Sequence, residues 1–402
     1  MNILFYRYGS ICEPDLIDAF KVLQITVFEE DTEIYQKSIE PEVRIRLLAE
    51  QLLTHQISFV FSINFFPYIS EICQRLNVIY ACLSVDCPVL ELFSRSIRNS
   101  YNRIFLFDYH QYEQFKGENP DCIFYLPLGA NTDRWDECLS SLPAEGNDQW
   151  KYDISFVGSL YNEKSPYDHL PLSDFDRGFA DGLMEAQLKL PGLSLIEEAL
   201  SKDLITALKK ATDASADNSA QFHTLPDALT DTDPYVAANY FCGMRISELE
   251  RIRTLNALAE NFRVDLFTRS NTDDLKNVHC HGGVSTHEEM PRIFYRSKIN
   301  LNITMRPIQT GLSQRIWDVL GCRGFLLCNY QSEIPEYFQI GSDLDCYENL
   351  TDLKEKVAFY LAHDDIRKEI ASHGYQTVKE KHTCLHRVIS MLNLIYPSEH
   401  TS

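Results

Sequence analysis

The sequence is short of positive charge: 37 Lys and Arg residues stand against 58 Asp and Glu residues, which gives a net charge of −21. Such a surface repels phosphate backbones and anionic membranes, so general nucleic-acid binding is disfavoured. No apolar run approaches the roughly 20 residues that span a bilayer. Residues 1–6 have the pattern of a short strand rather than of a signal peptide. We therefore expect a cytoplasmic protein without a transmembrane segment.

Motifs for cofactors and metals are also missing. There is no Gly-x-Gly-x-x-Gly and no Gly-x4-Gly-Lys-Ser/Thr loop, so a nicotinamide, flavin or ATPase function lacks its fingerprint. The twelve cysteines form no Cys-x-x-Cys pair, and His287 has no second histidine at the His-Glu-x-x-His spacing. We expect reduced, mostly buried cysteines, no metal and no cofactor.

What is present is the pattern of a large α/β protein. With 402 residues and 45% hydrophobic content, the chain can bury two separate cores. Short β-branched and aromatic runs alternate with helical spacing in the first 130 residues, which is typical of a parallel sheet covered by helices. The predicted strands are 2–6, 25–29, 57–63, 78–83, 103–107 and 122–126. Residues 1–131 are therefore predicted to form a Rossmann-like domain.

A second domain follows a polar stretch. Residues 132–150 are predicted to be a linker, because this polar stretch interrupts the α/β pattern and contains Ser140-Ser141, Pro143 and Gly146-Asn147-Asp148. Residues 151–385 resume the α/β pattern, except for a helical and loop insertion at about 160–240, in which 211–235 has the composition of a mobile acidic loop. Residues 386–402 are predicted to be a C-terminal tail. The expected architecture is two facing Rossmann-like domains with a ligand cleft between them.

One segment of the second domain suits a phosphate group. Residues 300–329 are predicted to form a strand, a turn containing Gly311, a short helix and another strand. Ser313 stands at the predicted start of the helix. The free backbone N–H groups of the first turn, together with Arg315, would suit a pyrophosphate there.

An acidic residue lies one turn further along the same helix. Gln314 and Asp318 are four residues apart and share one face, so a ribose linked to the diphosphate could reach Asp318 through its diol. The alternative is a capped helix on which Asp318 and Arg315 are simply solvated.

Several segments resemble a known family. DISFVGSLYNEK at 153–164, KINLNIT at 298–304 and RIWDVLGCRGFLL at 315–327 are similar to the CgeB-like (spore-maturation-type) glycosyltransferases of the GT-B fold. LSVDCP at 83–88, NRIFLFD at 102–108 and YLPLGAN at 125–131 resemble the amino-terminal domain often joined to them. The resemblance covers nearly the whole chain except roughly 165–240.

This resemblance implies transfer of a sugar from a nucleoside diphosphate held by the C-terminal domain, with the acceptor on the N-terminal side. It places Gly158 and Lys164 near the donor phosphates and makes Asp318 the acidic ribose ligand. Related retaining enzymes carry Glu-x7-Glu, whereas the position eight before Asp318 is Thr310 here. The retaining or inverting course is therefore left open.

An inverting transfer needs a base within reach of the acceptor hydroxyl. Asp86 follows a predicted strand at the edge where the cleft is expected, so it is the candidate catalytic base; the alternative is that it caps the helix near Pro88. His110 is a second candidate. Lys164, Arg306 and Arg315 are the cations expected to neutralise the departing diphosphate.

The sequence thus predicts a glycosyltransferase of hexosyltransferase type. Its donor would be a nucleotide sugar, with UDP the first nucleotide expected, and its acceptor a protein, a glycan or a small molecule. The alternative is a degenerate GT-B relative that binds nucleotide or protein without catalysis, which the threonine at 310 and the acidic loop suggest.

Overall fold

The chain folds into two units. Unit 1 consists of residues 1–131 and 225–230 and of the C-terminal residues from 381, and unit 2 of residues 132–224 and 231–380. The computed structural model describes residues 1–36, 39–142, 150–163, 167–190, 194–213 and 222–397. Lys164 of the predicted donor site lies outside the described residues.

Unit 1 is built on a six-stranded parallel sheet with the spatial order β2-β1-β3-β4-β5-β6. The strands are β1 (Asn2–Tyr6), β2 (Thr26–Glu30), β3 (Phe59–Ile63), β4 (Ile79–Leu83), β5 (Asn102–Leu106) and β6 (Ile123–Tyr125). The helices between them are α1 (Glu13–Val22), α2 (Thr32–Tyr35), α3 (Pro41–Thr54), α4 (Pro67–Leu76) and α5 (Tyr109–Phe115). Leu4, Phe61 and Ile104 on the strands are completely buried, as expected for a parallel sheet covered by helices.

Local sequence signals explain where several of these helices begin. Proline occupies the first turn of α1 and of α4, where the missing N–H has no intrahelical partner to lose, as the sequence predicts. The side chain of Asp108 caps α5 by accepting the backbone N–H groups of His110 and Gln111.

Unit 2 contains a second six-stranded parallel sheet, with the order β12-β11-β10-β7-β8-β9. Its strands are β7 (Tyr152–Val157), β8 (Val264–Phe267), β9 (His279–Cys280), β10 (Ser297–Asn302), β11 (Leu326–Asn329) and β12 (Asp345–Tyr347). Its helices are α6 (Thr132–Ser140), α7 (Asp174–Leu188), α8 (Ile196–Ala199), α9 (Lys202–Asp213), α10 (Asp233–Val236), α11 (Met244–Ala259), α12 (Met290–Tyr295), α13 (Gln314–Gly321), α14 (Ile334–Tyr337), α15 (Leu350–Ala362) and α16 (Asp364–Lys381). Two parallel α/β units confirm the predicted fold class.

The first part of the predicted linker forms helix α6 instead. Trp135 on this helix is 1% exposed, and Asp136 accepts hydrogen bonds from Arg323, Tyr375 and Lys379 at 2.6–2.8 Å. A single buried tryptophan and a carboxylate with distant partners anchor the helix in unit 2. Neither feature is visible in the polar local composition of 132–150.

The predicted C-terminal tail, 386–402, also differs from the structure. Its first part belongs to helix α17 (Cys384–Ile395), which Thr383 caps and which lies in unit 1. Arg387 of α17 donates a hydrogen bond of 2.8 Å to the carbonyl of Leu128. The chain thus returns to unit 1 from residue 381, whereas the sequence-based prediction places the first residues of that return, 381–385, in the second domain.

The predicted mobile loop, 211–235, is in part tied to unit 1. The backbone of Arg95 donates to Asp227, and that of Leu229 donates to Phe93, at 3.0 and 2.8 Å. Residues 214–221 of this loop lie outside the described residues. Among the described helices, none combines the length and the apolar character needed to cross a membrane.

Candidate functional site

The described turns that carry predicted donor residues lie at the carboxyl edge of the sheet of unit 2. Strand β7 ends at Val157 and leads into the turn at Gly158, and β10 ends at Asn302 and leads through residues 303–313 into α13. Because neighbouring parallel strands end at the same edge, the topology brings these two turns together.

Ser313 occupies the N-cap position of α13 with an extended backbone, φ −61° and ψ 151°. Its hydroxyl, however, makes no capping hydrogen bond, and the oxygen is buried without a partner in the part of the chain that the structure describes. The N-cap prediction therefore holds for the backbone only. A buried hydroxyl without a partner, at the positive end of a helix dipole, is suited to receive an anionic ligand.

Asp318 lies one turn into α13 and is 3% exposed. Its carboxylate accepts a hydrogen bond of 2.9 Å from Gln314 Nε2 and pairs with Arg315 Nη1 at 3.1 Å. Burial raises the pKa of Asp318, while Arg315 and Gln314 act in the opposite direction. The contact confirms that Gln314 and Asp318 share one face. The alternative of a solvated aspartate is wrong, because this carboxylate is buried among its own neighbours.

The two described cations predicted for the diphosphate, Arg306 and Arg315, are already paired with carboxylates. Besides Asp318, Arg315 contacts the Met290 sulfur and lies 5.7 Å from the centre of the Phe294 ring. The Arg315 guanidinium is therefore engaged by groups of the protein itself, and its role beside the phosphates stays a prediction.

Arg306 forms a two-bond ion pair with Glu250, at 2.8 and 2.6 Å. Its backbone N–H donates to Ser247 Oγ at 2.9 Å. A cavity of about 260 Å³ adjoins this ion pair at the carboxyl ends of β11 and β12. Tyr347 lines the cavity, and its buried hydroxyl has no partner among the described residues.

The two predicted glycines occupy different environments. Gly311 is buried, and its carbonyl accepts a hydrogen bond of 3.3 Å from Gln331 Nε2. A β-carbon added at Gly158 would meet the Phe156 ring at 3.5 Å, which is ordinary van der Waals contact. The protein itself therefore leaves room for a side chain at Gly158.

Sequence reasoning missed a carboxylate beside Thr310. The Thr310 hydroxyl donates a hydrogen bond of 2.6 Å to Glu333, which is 6% exposed and stands at the start of α14. Glu333 thus brings a carboxylate to the position where the resemblance leads one to expect a glutamate. Only the fold brings together two residues that are 23 positions apart, so no local pattern could have revealed the pair.

Arg251 on α11 was also missed. It is 7% exposed and donates hydrogen bonds to the carbonyls of Ser159 and Ile303, which follow β7 and β10. The available signal was a basic residue inside a helix whose apolar spacing predicts burial on most sides. Arg251 therefore fixes the two turns of the candidate donor site relative to each other.

In unit 1, Asp86 is exposed beyond the carboxyl end of β4. Asn64 Nδ2 donates to its carboxylate at 2.6 Å and to the Tyr8 hydroxyl at 3.0 Å, and the side-chain Oδ1 of Asn64 accepts from the Val85 N–H. The short helix that follows, Leu90–Phe93, has Val89 at its N-cap, so Asp86 is not its cap.

His110 is exposed in the first turn of α5. Within the described residues, no three His, Cys, Asp or Glu side chains come together as a metal site.

Comparison with known proteins gives a family match over part of the chain. The model of a family described as glycosyl transferase-like matches residues 249–393. An uncharacterized protein of Aquifex aeolicus (strain VF5) is 26% identical over 115 residues, which is 28% of this chain and 28% of that protein. The chain therefore matches less than two thirds of that relative's length.

Solved structures match over nearly the whole chain. A glycosyltransferase from Rickettsia africae ESF-5 is 12% identical with a TM-score of 0.52, and 99% of each chain is covered. Anabaena HepE in complex with UDP and glucose is 11% identical with a TM-score of 0.54, covering 98% of this chain and 99% of that chain. Phage T4 beta-glucosyltransferase is 9% identical with a TM-score of 0.51 and coverage of 98% and 99%. The chain has the GT-B fold of these glycosyltransferases, as the resemblance predicts.

Proposed function

We propose that this protein is a glycosyltransferase that moves a sugar from a nucleoside diphosphate donor to an acceptor still to be identified. The observation that carries the proposal is the start of α13, where Ser313 places a buried hydroxyl without a partner among the described residues at the positive end of the helix dipole. This helix lies inside the segment that matches the glycosyl transferase-like family. Within the GT-B enzymes, the motifs at 153–164 and 315–327 favour the CgeB-like group.

Unit 2 is proposed to hold the donor. The diphosphate would accept a hydrogen bond from the Ser313 hydroxyl at the positive end of the α13 dipole. The ribose diol would donate to Asp318, which retains lone pairs beyond those used by Gln314 and Arg315. UDP is the first nucleotide to test and a hexose the first sugar, since HepE binds UDP and glucose on the same fold. Lys164 stays a predicted phosphate ligand.

Unit 1 is proposed to supply the base. Asp86 combines exposure with a carboxylate held by Asn64, so one oxygen is fixed while the group can still take a proton from a hydroxyl acceptor. The cytosol stays the proposed location, because the twelve cysteines are scattered through the sequence and form no Cys-x-x-Cys pair.

A donor-binding protein without turnover is the second candidate, since Thr310 replaces a glutamate of related enzymes. Glu333 argues for catalysis, because its carboxylate lies 2.6 Å from the Thr310 hydroxyl and restores an acidic group there. Incubation with a panel of sugar nucleotides separates the two. Slow hydrolysis of one donor supports the enzyme, whereas tight binding of intact donor, with neither hydrolysis nor transfer to any acceptor, supports the second candidate.

The Ser313→Ala variant tests the site itself. Removal of a hydroxyl that has no protein partner should leave the thermal unfolding midpoint unchanged and raise the donor dissociation constant by about tenfold, since one hydrogen bond to a charged phosphate is lost. Calorimetric titration with UDP measures the affinity.

The matched control is Ser173→Ala at the N-cap of α7, where the hydroxyl does cap the helix. That variant should lose roughly 1 kcal/mol of stability and keep its donor affinity. Equal UDP affinity in Ser313→Ala and the wild type would contradict the proposed site.

A further inference from the structure

Arg251 is a buried cation between the two turns of the candidate donor site. Its guanidinium donates to the carbonyls of Ser159 and Ile303 and lies 4.4 Å from the centre of the Tyr161 ring. A β-carbon added at Gly158 would stand 4.0 Å from Arg251 Nη1. The positive charge therefore sits directly behind the glycine turn that follows β7.

This charge has no acidic partner. Within the described residues, no carboxylate forms an ion pair with Arg251, and its Nε is buried without a hydrogen-bond partner. Two other arginines of α11 are paired, Arg245 with Asp168 and Glu248, and Arg253 with Glu185. A cation that is 7% exposed and balanced only by carbonyl dipoles and rings is unfavourable, unless a negative group arrives nearby.

The placement of the charge indicates which negative group that is. Among the cations predicted for the phosphates, Arg306 is paired with Glu250 and Arg315 with Asp318, so their charges are largely compensated within the protein. Of these three described arginines, Arg251 alone has no carboxylate partner among the described residues. It lies at the carboxyl edge of the sheet, beside the turn at Gly158, where an added β-carbon would make only ordinary contacts.

We propose that Arg251 is a positioning residue for the donor diphosphate: it holds the turn at Gly158 against the end of β10 and supplies the buried positive charge that attracts the phosphates. The proposal rests on the proposed donor site. Arg251 acts through the turn and through its field, because both terminal nitrogens are engaged by carbonyls. In a site of low dielectric such a charge is felt over several ångströms.

The test uses inorganic pyrophosphate and uridine as separate probes on the full chain. Arg251→Gln removes the charge but keeps amide donors for a carbonyl, and Arg251→Lys keeps the charge but loses the planar fork. Arg253→Gln on the same helix is the control, since it removes an exposed charge that is paired with Glu185. Binding is measured by titration calorimetry at low and high salt.

We expect Arg251→Gln to weaken pyrophosphate binding by at least about tenfold, to leave uridine binding within about twofold, and to flatten the salt dependence of pyrophosphate binding. Arg251→Lys should retain most of the pyrophosphate affinity, and Arg253→Gln all of it. If Arg251→Gln does not fold, the lysine variant decides: near wild-type affinity supports the charge, and a tenfold loss overturns it. A structural role alone would weaken both probes together.

Two results would overturn the inference: pyrophosphate affinity that is the same in Arg251→Gln and the wild type, or a wild-type protein that binds no pyrophosphate. The failure of the proposed function is distinguishable. If pyrophosphate binding depends on Arg251 but no sugar nucleotide is turned over, the role of Arg251 is supported and the proposed transferase activity is contradicted. If sugar nucleotides are turned over independently of Arg251, the transferase activity is supported and the role of Arg251 is contradicted.

Discussion

The carboxyl edges of the two sheets differ in how they present their polar groups. In unit 1 the candidate group, Asp86, is exposed and held by one amide, whereas in unit 2 Asp318 is 3% exposed and Arg251 7% exposed. A base must reach an acceptor and exchange protons, so exposure suits it. A charge that attracts phosphate acts more strongly when water is excluded. The contrast is consistent with the two proposals, a catalytic base on unit 1 and donor binding on unit 2.

The largest expected effect tests whether the exposed Asp86 of unit 1 is the catalytic base. Asp86→Asn should lower kcat by about 100-fold or more, because general base catalysis contributes that much or more, while the donor dissociation constant stays unchanged. The asparagine can still accept the hydrogen bond from Asn64, so the fold is retained. Steady-state kinetics with the donor identified by the panel measure both parameters.

The control for Asp86 is Glu71→Gln, another exposed carboxylate of unit 1 that accepts a hydrogen bond from an asparagine, Asn99, at 3.0 Å. It should keep the wild-type kcat. An Asp86→Asn variant with full activity would remove Asp86 as the base and leave His110 as the candidate in unit 1.

The next largest effect tests whether the buried Asp318 of unit 2 is the ribose ligand. Asp318→Ala should raise the donor dissociation constant by about tenfold or more, because two hydrogen bonds to the ribose diol are lost. UDP and its 2′,3′-dideoxy analogue should bind the variant equally, whereas the wild type should prefer UDP. Thermal unfolding checks the fold, since the change also leaves Arg315 without its partner.

If the variant still discriminates between UDP and its dideoxy analogue as the wild type does, Asp318 is not the ribose ligand. Asp318→Asn is the milder companion, because it keeps an acceptor for Gln314.

Much of the fold was accessible from sequence because its signals are local. All six strands of unit 1 overlap the predicted β-branched and aromatic runs, and proline occupies the first turn of α1 and of α4. Helix α6 escaped because its polar composition hides the buried Trp135. The return of the chain to unit 1 was not predicted, because it depends on contacts between residues far apart in sequence, such as the hydrogen bond from Arg387 to the Leu128 carbonyl.

The site was only partly accessible for the same reason. The spacing of Gln314 and Asp318 fixes their shared face, and the structure confirms that contact. Which cations are compensated is a property of tertiary pairs, so the pairing of Arg306 with Glu250 and the unpaired charge of Arg251 could not be predicted. The approach of Glu333 to Thr310 has the same origin.

A third prediction concerns the C-terminal segment from residue 381, with which the chain returns to unit 1. Burial first, and then Arg387, His386 and Lys381, lower the pKa of His382 to about 4. The neutral ring accepts a hydrogen bond of 3.0 Å from Arg387. Because the folded pKa lies below the unfolded value near 6.5, this stability is complete above that pH and is lost as the pH falls toward 4.

Urea unfolding at several pH values tests this. His382→Asn keeps an acceptor for Arg387 but does not titrate, so its stability should fall less than that of the wild type between pH 6.5 and 4. His110→Asn, at an exposed position of the same unit, should follow the wild type. Parallel pH curves for the wild type and His382→Asn would contradict the assignment.

The smallest expected effect separates packing from ligand binding at the glycine turn of unit 2. Gly158→Ala places a methyl group where the protein offers only ordinary contact, 3.5 Å from the Phe156 ring, so the unfolding free energy should change by less than about 1 kcal/mol. Donor affinity should nevertheless fall several-fold, because the methyl group occupies space next to the phosphates. Gly178→Ala in α7 is the control: nothing lies within 4 Å of its added carbon, so it should stabilise the helix by roughly 0.5–1 kcal/mol and leave UDP binding untouched. Unchanged donor affinity in a folded Gly158→Ala variant would show that the phosphates do not bind next to this turn. The proposed role of the Arg251 charge would then lose its basis.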